Sequence, residues 1–162
     1  MTLYLLDANV LIQAHEDYYP VDRIPQFWTW LLEMAAQNII KVPRVIFDEV
    51  MPPPGPLADW VKQKNVRDLM ILSEPIARAR VTHVLVHGYA PDLTDVEIEK
   101  IAKDPFLVAA ALAAPDRIVV TREVSKPRRQ RANRKVPDVC NVFDVPVITD
   151  FQLYRVLKFS IP

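Results

Sequence analysis

Leu3-Tyr4-Leu5-Leu6-Asp7-Ala8-Asn9-Val10-Leu11-Ile12-Gln13-Ala14 is the stretch that decides the fold class. Thr2 to Leu6 is a short apolar run of strand length, and it ends directly in Asp7. From Asn9 to Ala14 the apolar positions follow helical spacing instead. A strand that runs straight into a helix is the opening of an alternating α/β chain. Such alternation implies a parallel sheet with helices on both faces.

The rest of the chain keeps that rhythm. Pro25 to Gln37 is a strongly apolar helix pattern, and Pro43, at an N1-like position, opens a helix that carries Glu49. Leu57 to Lys64 reads as a small amphipathic helix, Val66 to Leu72 as a strand and Ile76 to Val86 as a helix. Thr94-Asp95-Val96-Glu97 fits a capping box for a helix through Ala102. Asp104-Pro105 supplies an N-cap and an N1 proline for a helix over Phe106 to Ala114, and Arg117 to Val120 is a strand bounded by Thr121. A loop to Val136, a short helix near Asp138 to Phe143, a strand Val145 to Ile148 and a helix from Asp150 complete the pattern. Neither an internal repeat nor a linker divides it, so residues 1–162 are expected to form one domain.

Composition narrows the function classes. Half of the chain is hydrophobic and 25% is charged, which is globular. Lys plus Arg and Asp plus Glu both total 20, so no overall field gathers nucleic acid and any attraction must come from local clusters. Cys140 is the single cysteine and has no internal disulfide partner. The first residues lack the charged start and long apolar run of a signal peptide, and the longest apolar run, Phe106 to Ala114, is too short to cross a bilayer. The expectation is a soluble, cytoplasmic protein with no membrane partner. Gly55 and Gly88 are the only glycines and lie far apart, which excludes GxGxxG and GxxxxGK[ST] phosphate loops. Pro52-Pro53-Pro54-Gly55-Pro56 reads as a stiff turn between helices.

In a parallel α/β sheet the ligand site lies at the carboxyl ends of the strands. Asp7 follows the first strand, and Thr121-Arg122-Glu123 leaves another at what should be the same edge. Asp104 heads the helix before that strand, and Glu49 sits on a helix able to lean over the edge. Four converging carboxylates without a balancing lysine repel one another, and a hard divalent cation relieves that repulsion. Taken singly each has an ordinary explanation: a cap for Asp104, a solvated surface position for Glu49, and a cap on Val10 for Asp7. Together they make a candidate site.

These residues also carry a resemblance. YLLDANVLI near the start, VIFDEV, DPFLVAAAL and VVTRE, in that order and spacing, resemble the PIN-domain nucleases, and the resemblance spans nearly the whole chain. It is closest to a PIN-like family whose members share YLLDAN, FWTWL, VTRE and VPDVC elements and are thought to be toxins encoded beside a helix-turn-helix antitoxin. The resemblance implies a PIN-like three-layer sandwich with a central, mainly parallel sheet. It implies an Mg²⁺- or Mn²⁺-dependent endoribonuclease leaving 5'-phosphate and 3'-hydroxyl ends. Asp7, Glu49, Asp104 and Glu123 match the acidic, metal-binding quartet, with Asn9 and Thr121 as polar neighbours. The common pattern has aspartate at the fourth position, where this chain has Glu123.

Further candidates surround that quartet. KPRRQRANRK, from Lys126 to Lys135, gathers Lys126, Arg128, Arg129, Arg131, Arg134 and Lys135, and such a cluster beside an acidic pocket suits an RNA backbone. Asp138 is left as either a neighbour of the site or a helix cap. Phe27, Trp28 and Trp30, with Leu31 and Met34, read as core or as a homodimer interface rather than a base-stacking platform. His83 and His87 are spaced i, i+4 but lack a third ligand, His15 stands apart, and Cys140 lacks a histidine partner. Two rivals remain: a PIN-fold RNA- or protein-binding module with weak or no catalysis, which Glu123 keeps open, and a phospho-receiver-like signalling domain. The latter would need an acidic neighbour beside Asp7 and a lysine after a later strand, and the chain has neither.

Overall fold

A computed structural model describes residues 1–162. Five strands form one parallel sheet: β1 (Leu3–Leu6), β2 (Ile40–Pro43), β3 (Ile71–Leu72), β4 (Arg117–Val120) and β5 (Val147–Ile148), in the order β3-β2-β1-β4-β5. The chain adds strands outward from β1 on one side, then crosses over and adds β4 and β5 on the other. Right-handed crossovers put the connecting helices of the two halves on opposite faces. On one face lie α2 (Pro25–Ala36), α4 (Pro56–Lys62), α5 (Lys64–Met70) and the last helix, α10 (Asp150–Val156). On the other lie α6 (Arg78–Val84), α8 (Asp104–Leu112) and α9 (Val136–Val142). The remaining helices are α1 (Ala8–Gln13), α3 (Arg44–Phe47) and α7 (Asp95–Ile101). None of the ten is long and apolar enough to cross a membrane.

The α/β expectation therefore holds, with every strand pair parallel. Four local expectations do not. Val66 to Leu72 is α5 followed by only two strand residues, because Val66, Leu69 and Met70 recur at helical spacing and pack toward α2, while Lys64 and Asp68 pair at i, i+4. Pro43 does open a helix, but as the N-cap of α3 rather than its first residue, and it also ends β2, a strand the sequence reasoning did not separate from its flanks. Glu49 consequently lies in a turn two residues beyond the four-residue α3, and Pro52-Pro53-Pro54 prevents the helix from continuing. Asp104 is not the N-cap of α8. Lys103 is, and no side-chain hydrogen bond caps that helix.

The capping box at Thr94 and Glu97 is present as expected, and Thr149 with Gln152 forms a second one on α10. Phe27, Trp28 and Leu31 are fully buried, with Trp30 and Met34 packed against the same core, so the aromatic stripe is core rather than a platform. Two helices end in a π turn, α1 through Tyr18 and α6 through Tyr89. In the second, Gly88 fits only because it lacks a Cβ, which would stand 2.7 Å from Val139 Cγ1 and 3.0 Å from Phe143 Cε2.

Gly88→Ala is accordingly expected to destabilise the protein by about 1–3 kcal/mol through overpacking between α6 and α9. Urea titration measures it, and an unchanged midpoint would show that α9 yields freely.

Candidate active site

Leu6 pairs with Val120 in the β1–β4 register, so the next residues, Asp7 and Thr121, leave the sheet side by side. This is the point where the strand order reverses, and a crevice opens there in folds of this type. Thr121 Oγ1 donates to Asp7 Oδ2 at 2.9 Å and accepts from Asn9 Nδ2 at 3.3 Å and from the Glu123 backbone N–H at 3.1 Å. That exhausts one donor and two lone pairs. Asn9 also donates to Asp7 Oδ2 at 3.3 Å and accepts from the Arg122 N–H at 3.2 Å. Asn9 and Thr121 are thus the polar neighbours of Asp7. Asp7 caps α1, its Oδ1 accepting from Ala8 N at 2.8 Å and its backbone carbonyl from the Val10 N–H at 3.1 Å.

Electrostatics tie the four acidic residues together. Asp7 is pushed up to about 6, first by burial and then by the charges of Glu123 and Glu49, against the Thr121 and Ala8 hydrogen bonds. Asp104 is pushed up to about 8, again by burial first and then by Asp7, Glu123 and Glu49, with Lys135 pulling the other way. Glu49 is raised by burial, and the Lys103 ammonium and backbone N–H oppose that shift. The protein therefore holds a buried Asp7 and three half-buried carboxylates in one region without enough positive charge to satisfy them.

The donors are all carboxylate oxygens, the chemistry a hard divalent cation selects. No three of these groups already stand close enough to form a ready-made cage. Glu123 has another task as well, because its Oε2 accepts from the Val136 N–H at 2.7 Å, at the first residue of α9.

A cleft of about 230 Å³ opens beside this cluster, lined by Asp104, Glu123 and Tyr89 together with the cationic Lys100, Arg129, Arg134 and Lys135. The basic segment that supplies these cations is fastened rather than loose. Asp138, buried in the first turn of α9, accepts from Ser125 Oγ at 2.5 Å and from the Lys126 N–H at 2.8 Å, which settles its role as a staple for the loop. Arg134 donates to the Gly88 carbonyl at 2.7 Å. Arg131 differs from expectation: its guanidinium is taken up by Glu97 at 2.9 Å and Asp92 at 2.7 Å, so its charge is already matched. Arg128 and Lys126 are exposed.

Sequence reasoning missed Tyr89, Lys100 and the pair of Arg122 with the buried Asp150, 2.8 Å apart at the ends of β4 and β5. A lone tyrosine or an Arg–Asp pair 28 residues apart carries no motif that would have flagged it. His83 and His87 stack on the surface with ring centres 4.6 Å apart, and His15 accepts from the Val21 N–H. Cys140 is buried and its thiol is pushed up to about 12 by burial and by the charges of Asp7 and Glu123, so it is no nucleophile at neutral pH.

Residues 4–161 match the family described as a domain of unknown function, DUF4411. The chain belongs to that family. Neither a curated protein nor a solved structure matches it. The DUF4411 match covers both sheet halves and all four acidic positions, so the cleft lies within the family's domain.

Raised carboxylates fix the sign of a pH effect. The folded chain holds protons on Asp7 and Asp104 more tightly than the unfolded chain does, so their contribution to stability is complete below about pH 4 and is lost as pH rises through about 6 and about 8. In chelator the melting temperature is expected to fall over that window, and Asp104→Asn should remove the upper part of the fall. A flat profile for the parent would mean that these charges do not meet.

Proposed function

We propose that this DUF4411 protein is a PIN-type, Mg²⁺- or Mn²⁺-dependent endoribonuclease of the cytoplasm, acting as the toxin of a toxin–antitoxin pair with a helix-turn-helix partner. The observation that carries the enzymatic part is the raised Asp7–Asp104 cluster at the sheet's switch point, beside a cleft that four cationic side chains also line. The toxin role and the partner rest on the sequence resemblance.

Asp7 and Asp104 would hold the cation, with Glu49 and Glu123 completing its surroundings. Bound there, Mg²⁺ or Mn²⁺ would supply Lewis acidity to water and charge relief to the phosphate. The chain's own residues do the rest. Thr121 and Asn9 fix the Asp7 carboxylate, and the Asp138 staple and the Glu123–Val136 bond fasten the basic segment beside the cleft. Arg129 and Lys135, aided by exposed Arg128 and Lys126, would meet the phosphate backbone through charge without reading sequence. Arg131 instead fastens the loop to α7.

One observation favours a second reading, an RNA- or protein-binding module without turnover: the Glu123 carboxylate already serves the first turn of α9. A phospho-receiver finds no such support, since those domains use the order 2-1-3-4-5 and this sheet runs β3-β2-β1-β4-β5.

The purified protein is expected to cut RNA in Mg²⁺ or Mn²⁺ and to stop in EDTA, and Asp7→Asn and Asp104→Asn should each abolish cutting in a folded protein. Parent-rate cleavage by either variant removes that residue from the site, and RNA binding without any cleavage selects the second reading.

Neutralising Arg128, Arg129 and Lys135 together should weaken RNA binding and lower the slope of log affinity against log salt by roughly 2, the loss of three single-strand phosphate contacts. Titrations at two ionic strengths measure it, and an unchanged slope would leave the loop out of RNA binding.

A further inference from the structure

Tyr89 closes the π turn at the end of α6 and is buried, 7% exposed, yet its hydroxyl has no hydrogen-bond partner. An unpaired buried donor costs about 1–3 kcal/mol. Such an orphaned group calls for an explanation, and a ligand that completes it is one. Tyr89 lines the cleft that also holds Asp104, Glu123, Arg129, Arg134 and Lys135.

Its placement is built rather than incidental. The Ala90 N–H reaches back to the Leu85 carbonyl at 3.1 Å, which is the π turn itself. Such turns insert a residue and redirect a side chain, and they recur at functional sites. The preceding residue, Gly88, is pressed against Val139 and Phe143, and its carbonyl is held by Arg134. Burial first, and then the charges of Asp104 and Glu123, raise the phenol above its ordinary value, so it remains a neutral donor and not a base. The cations around it call for an anion, and an anionic oxygen is the acceptor this donor lacks.

We propose that the Tyr89 hydroxyl is a ligand contact, donating its hydrogen bond to a phosphate oxygen of the strand bound in the cleft. This rests on the nuclease reading above for the identity of the ligand, and on the orphaned hydroxyl for the site. The chain supplies its own control. Tyr154 carries the other orphaned buried hydroxyl, but among the rings of Phe27, Trp30 and Phe159 on the opposite face.

The test compares the parent with Tyr89→Phe and Tyr154→Phe in three measurements: melting temperature, RNA cleavage in Mn²⁺, and the rise in melting temperature produced by inorganic phosphate with Mn²⁺. Removing an unpaired hydroxyl should leave both variants at least as stable as the parent. Tyr89→Phe alone should lose roughly 10- to 100-fold in kcat/KM, the worth of one hydrogen bond to a charged group, together with most of the phosphate-induced rise. Parent-like cleavage and phosphate response in Tyr89→Phe overturn the proposal, and so does a fall in its melting temperature, which would place the hydroxyl in the fold. Should the parent cut no RNA, the nuclease reading fails by itself, and phosphate then decides. A rise lost only in Tyr89→Phe sustains the contact, whereas a rise equal in both, or absent in the parent, overturns it.

Discussion

One hydroxyl joins the two halves of this fold at the place where they meet. Thr121 Oγ1 uses its donor on Asp7 and both lone pairs on Asn9 and Glu123 N, so the carboxyl ends of β1 and β4 are bonded through side chains as well as through the sheet. Everything proposed for the cleft inherits its position from that latch. Asp7 is fixed by it, Asn9 relays it to the Arg122 backbone, and the segment after Glu123 departs at the angle that brings the basic loop back over Asp104.

The second constraint is electrostatic. Asp7 is raised by burial and by Glu123 and Glu49, and Asp104 by burial and by Asp7, Glu123 and Glu49, which is a standing cost to the folded chain. Structural carboxylates are ordinarily arranged the other way. Glu97 shows this in the same molecule, held at about 2 by Arg131 and the Thr94 N–H. The difference sets Asp7 and Asp104 apart from a carboxylate that serves the fold, and it falls where the strand order reverses. The ordinary explanation of Asp104, a helix cap, is removed by geometry, since Lys103 occupies that position.

The parts of the architecture legible in the sequence were those with a strong local signature. The Leu3–Leu6 strand ending in Asp7, the Thr94 capping box, the strand ending at Thr121 and the helix from Asp150 all show their pattern within a few residues of chain. The failures share a different cause. Val66 to Met70 carries a helix period in a run short enough to read as a strand, and β2 is hidden because its last residue, Pro43, is also the N-cap of α3. In the site, residue identities were visible but their commitments were not. That Arg131 is matched by Glu97 and Asp92, or that Glu123 bonds Val136, depends on pairings 13 to 39 residues apart that no spacing rule encodes. Tyr89 was invisible for the same reason, because what marks it is a missing partner.

The Asp7–Thr121 bond also sets a timetable, since its two members are 114 positions apart. At a synthesis rate of about 5–20 residues per second, roughly 6–23 s separate their emergence on a ribosome. During that interval β1 has β2 but not β4 to pair with, and one edge of the central strand stays open. A growing chain therefore carries Asp7 long before it carries a cleft.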